Sequence, residues 1–488
     1  MTTFPPETIF LGKNLKISRV LTGLWQVADM EKDGKTLDPE IAADHLQAYA
    51  DDGFTTFDMA DHYGSSEIIA GRLMARYPTD RTRPLAFTKW CPEPGPMTAA
   101  VVRAGIRERL TRLGVEKLDL LQFHWWSFDH PGWLDALHEL AELKQQGLIG
   151  DIGVTNFDAA HVNLALADGV PIISNQVSFS LIDRRATGSL AKLCANTGVQ
   201  LLAYGTLSGG FLSQKWLGKP EPVQIPDWSG MKYKRFIDAS GGWTAYQNIL
   251  QTAAEIAAKH NASLSNVATR WVLEQKCVAG VIIGARIGEN QHRADNVRQF
   301  GFSLDAEDHN LLNEVFSNCL QIPGDCGDEY RKPPFLTASG DLSDHLTSLQ
   351  QVFVAEDAPG QKGRKRVLSG SEWEDIAGYC RAHRVGDRIF VSGTTATAGL
   401  NRVVAPGDAG AQTTFILDKI AGAILALGGT MENIVRTRIY LVDENDTMAV
   451  STSHGRYFTD IKPANTLLVV QKLIGDFKVE IEAEAIVD

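Results

Sequence analysis

Phe57-Asp58-Met59-Ala60-Asp61-His62-Tyr63-Gly64-Ser65-Ser66-Glu67 is the stretch on which the reading of the fold turns. Residues 55–60 have the composition of a short strand, and Ser65-Ser66-Glu67 opens a helix. Asp58 and Tyr63 therefore stand where a strand hands over to a helix. Two later strands end the same way. Leu85-Ala86-Phe87-Thr88-Lys89-Trp90 delivers a lysine, and the run 118–123 delivers His124, followed by Trp125-Trp126.

Outward from these ends, the chain from Asn14 to Phe300 alternates short β-rich runs with longer helical ones. Strands are expected at 17–26, 55–60, 85–90, 118–123, 151–154, 172–177, 200–204 and 278–283. Helices are expected from Pro39 to Ala50 behind an Asp38 cap, and at 67–77, 98–113, 132–146, 158–167, 188–196, 246–260, 264–275, 289–300 and 306–316. A long insertion follows the strand at 200–204. Glycines at 114, 147 and 169 stop helices. About eight strand-then-helix units in roughly 250–300 residues predict a closed (β/α)8 TIM barrel within an α/β class. A doubly wound open sheet is the rival, and it lacks a Gly-x-Gly-x-x-Gly turn after any strand.

The barrel is expected over 1–325 and a linker over 326–365. That linker carries Pro333, Pro334, Pro359 and Gly360, a short helix at 342–352, and a basic run, Lys362-Gly363-Arg364-Lys365-Arg366, read as a solvated connector. Residues 366–488 form a second, smaller α+β module, with strands at 385–393, 434–441, 465–471 and 479–486 and helices at 412–427 and 448–458.

With 488 residues, 44% hydrophobic and 22% charged, the chain has material for two soluble domains. A net charge of −12 argues against nucleic acid and anionic membranes as partners. No apolar run approaches the roughly 20 residues that span a bilayer, and the N-terminus lacks a signal-peptide pattern. The six cysteines show no Cys-x-x-Cys pair, so reduced thiols and a cytoplasmic location are expected, with a Cys319–Cys326 pair as the competing reading. No metal site is expected.

Asp, Tyr, Lys and His at one rim are the parts of a site that donates a proton to a carbonyl. Hydride addition builds negative charge on oxygen, which a nearby acid must neutralise. A tyrosine is a weak acid at neutral pH unless a cation stabilises its phenolate. Lys89 supplies that cation, Asp58 holds the lysine, and His124 donates to the oxygen. At these residues the sequence resembles the aldo-keto reductase superfamily, whose Asp-x-Ala-x-x-Tyr-Gly-x-Ser-Glu signature stands here at 58–67. The resemblance covers roughly residues 8–320. It implies catalysis by Asp58, Tyr63, Lys89 and His124 and hydride from a nicotinamide cofactor. It also implies that Ser174, Asn175 and Gln176 hold the carboxamide, that Tyr204 stacks on the ring, and that Leu207, Ser208, Gly209 and Gly210 cover the pyrophosphate. Gly284, Arg286, Gln291, Arg293 and Asn296 resemble the adenosine end. Arg286 and Arg293 would serve a 2′-phosphate, which favours NADPH over NADH. For Arg293 a solvated helix face is the competing reading. Trp25, Trp90, Trp125 and Trp126 are expected to line an apolar carbonyl pocket, with core packing as the alternative for any one of them.

From about Arg366 onward, Gly378-Tyr379-Cys380-Arg381-Ala382, Val391-Ser392-Gly393, Lys462-Pro463-Ala464-Asn465-Thr466 and Val479-Glu480-Ile481-Glu482 resemble the RidA (YjgF/UK114) family. That resemblance implies a chorismate-mutase-like fold, a homotrimer with clefts between subunits, and hydrolysis of enamines and imines by active members. Tyr379, Asn465 and Glu482 fall at cleft positions. Asn465 stands where active members carry a carboxylate-gripping arginine, so the module is expected to bind another small molecule or to serve assembly. The expectation is an NADPH-dependent carbonyl reductase fused to this module. Its rivals are a cofactor-binding sensor and a bifunctional enzyme that also handles an imine.

Overall fold

The computed structural model describes residues 5–27, 37–77, 83–225, 227–287, 292–331, 351–399 and 401–487. It opens with a hairpin, β1 (Thr8–Leu11) and β2 (Leu15–Ser18), where one strand is expected to run through to residue 26. The barrel strands follow: β3 (Val20–Gly23), β4 (Thr56–Asp58), β5 (Leu85–Trp90), β6 (Leu118–His124), β7 (Ile149–Thr155), β8 (Ile172–Ser178), β9 (Gln200–Tyr204) and β10 (Val278–Gly284). They are parallel and close in the order β10-β3-β4-β5-β6-β7-β8-β9. Leu11 and Ile17 of the hairpin pack with Leu21, Phe87, Leu120, Leu202 and Ala279. That apolar plug seals the barrel at the end where the strands begin, and leaves the other end for polar side chains.

Helices wrap the outside, held by local signals that the sequence carries. Asp38 caps the Pro39–Asp51 helix through the amides of Glu40 and Ile41, and Asp158 caps Ala159–Ala167 through those of Ala160 and His161. Gly114 ends the Ala99–Leu113 helix at φ +63°. The insertion after β9 holds an unforeseen helix, Trp228–Ala239, capped by Asp227. All six cysteines are free thiols.

Two parts of the expected linker are structured. Residues 325–331 fold back over the barrel mouth, where Cys326, Asp328, Glu329 and Tyr330 are buried. The C-terminal sheet begins at β11 (Ala355–Asp357), and the basic run enters β12 (Arg364–Val367), paired to its neighbours rather than free. The expected helix at 342–352 lies largely outside the described residues. The sheet continues with β13 (Ala382–Val385) and β14 (Arg388–Thr395); β15 (Thr397–Ala398) and β16 (Arg402–Val403) form a separate small hairpin. β17 (Ile434–Leu441), β18 (Ala464–Val469) and β19 (Val479–Ile486) complete the order β11-β12-β13-β14-β19-β17-β18. Residues 479, 481, 483 and 485 of β19 face inward toward the Ala409–Ala426 helix, and alternate residues face out. That helix also packs against Ala159–Ala167 of the barrel, so the two domains share an apolar core.

Candidate active site

Strand alternation explains the rim. In β6, Leu120, Gln122 and His124 share one face, with leucine low in the barrel and polar groups toward the open end. Lys89 ends up against Asp58, Nζ to Oδ2 at 2.7 Å, and donates also to the carbonyl of Met59 at 2.9 Å. The other carboxylate oxygen of Asp58 accepts from Nε2 of Gln122 at 2.9 Å and of Gln176 at 2.7 Å. Both partners of the ion pair are only 4% exposed, so solvent screens the interaction little. The ammonium lies 5.2 Å from the Tyr63 ring centroid, which in turn sits 4.8 Å from the ring of Trp25. His124 is buried, its ring 4.4 Å from Trp126 and 5.4 Å from Tyr330.

These four residues line a cleft of about 680 Å³ together with Trp25, Gln176, Tyr204 and Tyr330. It runs past Leu207, Gly209 and Gly210 to Gly284, Arg286 and Asn296. Ser208 is buried behind that turn, with its hydroxyl on Ser180. Gly209 has φ +63°, and a Cβ there would stand 2.9 Å from the ring of Tyr233, so the turn needs glycine. Lys215 and Arg286 bring cations to this long arm. A glycine turn flanked by cations, continuous with the carbonyl-facing end, fits the phosphates and ring of a dinucleotide.

Other expected site residues lie elsewhere. Ser174 is buried beside Gly153, and Asn175 ties β8 to the backbone of Phe157, accepting from its amide and donating to its carbonyl. Trp90 packs on Phe123 and against Gly105, while Trp125 stacks on Phe123 and donates to the carbonyls of Ser127 and His130. Those two indoles are core; Trp126 backs His124. Arg293 turns to Asp52 and to the carbonyl of Ala48, both at the Pro39–Asp51 helix. Gln291 lies outside the described residues. In the C-terminal module, Glu482 bonds Arg438 and Tyr440 on the outer sheet face, and Asn465 sits on edge strand β18 opposite Thr437. Tyr379 precedes β13, four strand spacings from β18, or roughly 19 Å, so these three do not meet within one chain.

Several residues in or behind the cleft wall escape a sequence reading. Gln122 had a signal, a polar residue on the inward phase of an apolar strand. Lys232, on the unforeseen helix, lies 4.4 Å from the ring centroid of Tyr330 and 5.0 Å from that of Tyr204. Tyr204 donates to Asn156 at 2.8 Å and to Glu329 at 3.2 Å; burial, reinforced by Tyr330 and Glu329, holds its phenol protonated. Tyr330 and Glu329 carry no periodic signal at all.

A barrel with Asp, Tyr, Lys and His at its open end and a dinucleotide-shaped cleft beside them is the architecture of a nicotinamide-dependent oxidoreductase. Residues 19–316 match the Aldo/keto reductase family, and the chain belongs to that family, whose members use nicotinamide cofactors. Residues 370–487 match the Endoribonuclease L-PSP family, to which RidA belongs. The "NADH-specific methylglyoxal reductase" of Escherichia coli K12 is 25% identical over 326 residues, 62% of this chain and 95% of that protein. An uncharacterized protein of Streptomyces coelicolor is 39% identical over 122 residues, 25% of this chain and 90% of its own length. The glycerol dehydrogenase of Gluconobacter oxydans superposes with a TM-score of 0.54 at 24% identity, over 65% of this chain and 97% of that one, a likeness of fold alone. Among the described residues no helix is long and apolar enough to cross a membrane.

Proposed function

We propose that the barrel reduces an aldehyde or ketone to an alcohol, with Tyr63 as acid, Lys89 and Asp58 tuning it, and His124 orienting the carbonyl. The observation that carries this reading is the Asp58–Lys89 pair lying beneath the Tyr63 ring. A bound nicotinamide would supply the hydride. Tyr63 releases its proton to the alkoxide as it forms, and the Lys89 ammonium stabilises the phenolate left behind. Asp58, fixed by two glutamines, keeps that ammonium aimed. Imidazole donation from His124 holds the oxygen toward Tyr63. Gln176 and Tyr204 would face the nicotinamide, and Leu207, Gly209, Gly210, Arg286 and Asn296 the rest of the cofactor. Ser174, Asn175 and Ser208 support them from behind.

NADPH is our assignment. Arg286 supports it, because it lines the cleft while Arg293 is held by Asp52. An apolar or aromatic carbonyl suits the walls of Trp25, Tyr204 and Tyr330. Methylglyoxal belongs in the substrate panel because of the Escherichia coli relative. We take the barrel to extend through Arg331 and the C-terminal module to start at Ala355, in a cytoplasmic protein. The module serves assembly, as a homotrimer, or binds a small molecule. Its outer sheet face, with Phe390, Leu468 and Ile486 exposed among charged residues, supports that role.

The test is a carbonyl panel followed by NADPH absorbance, with Tyr63→Phe beside the wild type. The variant should bind cofactor and fail to turn over. A wild type equally silent on every carbonyl would instead favour a cofactor sensor.

A further inference from the structure

The C-terminal module touches the barrel at an ionic seam, buried around His161 and Asp418 and partly exposed where Arg456 meets Asp325. Arg456, on the Thr447–Phe458 helix, reaches Asp158 at 3.0 Å and Asp325 at 3.0 Å. Asp158 belongs to the barrel, as the cap of Ala159–Ala167; Asp325 starts the segment 325–331 that folds over the barrel mouth. His161 bridges Asp158 at 2.7 Å and Asp418 of the Ala409–Ala426 helix at 3.0 Å, and Tyr457 donates to Asp418 at 2.6 Å. A parallel route runs through stacked groups. Phe128 lies 3.5 Å from His161 at an angle of 9°, and the guanidinium of Arg331 sits 4.2 Å above Phe128.

Both routes end at the same short segment, whose middle enters the cleft. Arg331 donates to the carbonyls of Trp125 and Asn156, and Arg185 holds Glu329 at 2.9 Å and the carbonyl of Asp325 at 2.8 Å. Between these anchors, Tyr330 stands edge-on to His124 and bonds Lys232. Gly327, at φ +91°, passes so close to Asn156 that a side chain there would collide with its carbonyl. A segment this short, pinned at both ends, has one place to put its tyrosine.

We propose that the C-terminal module sets the shape of the carbonyl pocket: Arg456 is a positioning residue that fixes 325–331, and thereby Tyr330, against His124. This rests on the reductase reading of the barrel. It makes the fused module a structural part of the reductase site, whatever the module binds itself. The adenosine end, at Arg286 and Asn296, lies outside this linkage, and the cofactor side meets the segment at Tyr204, which bonds Glu329 and Tyr330, so cofactor affinity is coupled to it less than the carbonyl pocket is.

The test uses full-length Arg456→Gln, Arg456→Lys and Asp325→Asn. Asp325→Asn removes the charge of the same pair from the segment's side, weakening the bond, and leaves Arg456 paired with Asp158. The readouts are amide hydrogen exchange of 325–331, KM and kcat for benzaldehyde with saturating NADPH, and the NADPH Kd. Arg456→Gln and Asp325→Asn should speed exchange at 325–331 and raise KM about tenfold, equivalent to about 1.4 kcal/mol, with a smaller change in NADPH Kd. Arg456→Lys should recover part of both. A merely structural role would lower the active fraction, and so kcat, at constant KM. Unchanged exchange in both charge-removing variants overturns the inference, as does faster exchange with unaltered KM. A wild type that reduces no carbonyl defeats the reductase reading, and the exchange measurement then still decides whether Arg456 holds the segment.

Discussion

Asp58→Asn tests the core of the site, because the change is nearly isosteric and its consequence follows from counting donors. Three donors converge on this carboxylate: the Lys89 ammonium on one oxygen and the amides of Gln122 and Gln176 on the other. A carboxylate accepts on both oxygens, whereas an asparagine side chain has one acceptor and one donor. Either flip of the new amide points N–H groups at a donor, the lysine or the glutamine pair. Removing one partner of a buried ion pair costs about 3–5 kcal/mol. Each 1.36 kcal/mol is about tenfold, so the loss spreads over roughly two to four decades, shared between stability and turnover. Thermal unfolding of the apo protein and kcat at saturating NADPH measure the two shares; kcat should fall at least about a hundredfold. Gln122→Leu is the control: the carboxylate keeps Lys89 and Gln176, and losing the two hydrogen bonds of a neutral amide, one to Asp58 and one from Gln176, costs about 2 kcal/mol, less than the ion-pair loss. Wild-type turnover in Asp58→Asn, or an equal loss in Gln122→Leu, would refute the donor argument.

Other consequences can be measured independently. Burial opposes charging of His161, yet Asp158 and Asp418 outweigh it and raise its pKa above 6.5. Its folded pKa exceeds the unfolded one, so its contribution is complete below about pH 6.5 and is lost as pH rises through the folded value. Asp418, raised chiefly by burial, acts in the same direction. Asp158 is held well below 3.8: burial opposes this, but His161 and Arg456 prevail, so its own contribution disappears only in strong acid. Melting temperature should therefore decline on the alkaline side of pH 6.5, and His161→Gln should flatten that slope. Arg286→Ala should weaken NADPH binding about tenfold or more and leave NADH binding nearly unchanged, read by cofactor titration. The wild type should show no hydrolysis of 2-iminobutyrate, because the uncharged amide of Asn465 offers no bidentate grip on a carboxylate; clear activity would reverse that view.

The barrel and the general position of its site were legible because strand ends are local. Asp58, Lys89 and His124 each close an apolar run, and period-two alternation in such runs determines which residues point inward. Glycine and aspartate caps mark helix ends through contacts of a few residues. The C-terminal module was largely readable by the same means from β14 onward. Elsewhere the local signal is silent or ambiguous. Trp90, Trp125 and Trp126 look alike in sequence, yet the first two pack on Phe123 and the third backs His124, a difference of direction that neighbouring strands impose. Arg293 by its type could meet a ligand phosphate or a neighbouring carboxylate, and the nearby Asp52 claims it.

From the chain alone came most of the elements, their order and the chemical kind of group at each strand end, since these depend on periodicity and capping within short windows. Only tertiary structure decided what meets at the rim: the glutamines on Asp58, Lys232 from an insertion, and Tyr330 from a segment rich in glycine and acid that has no pattern of its own. The same is true of the seam between the domains. Asp158, Asp325, Asp418 and Arg456 are ordinary charged residues along the chain, and they matter because folding brings them together, with Asp158 and Asp418 buried, where low dielectric makes each partner necessary, and Arg456 and Asp325 at the partly exposed edge.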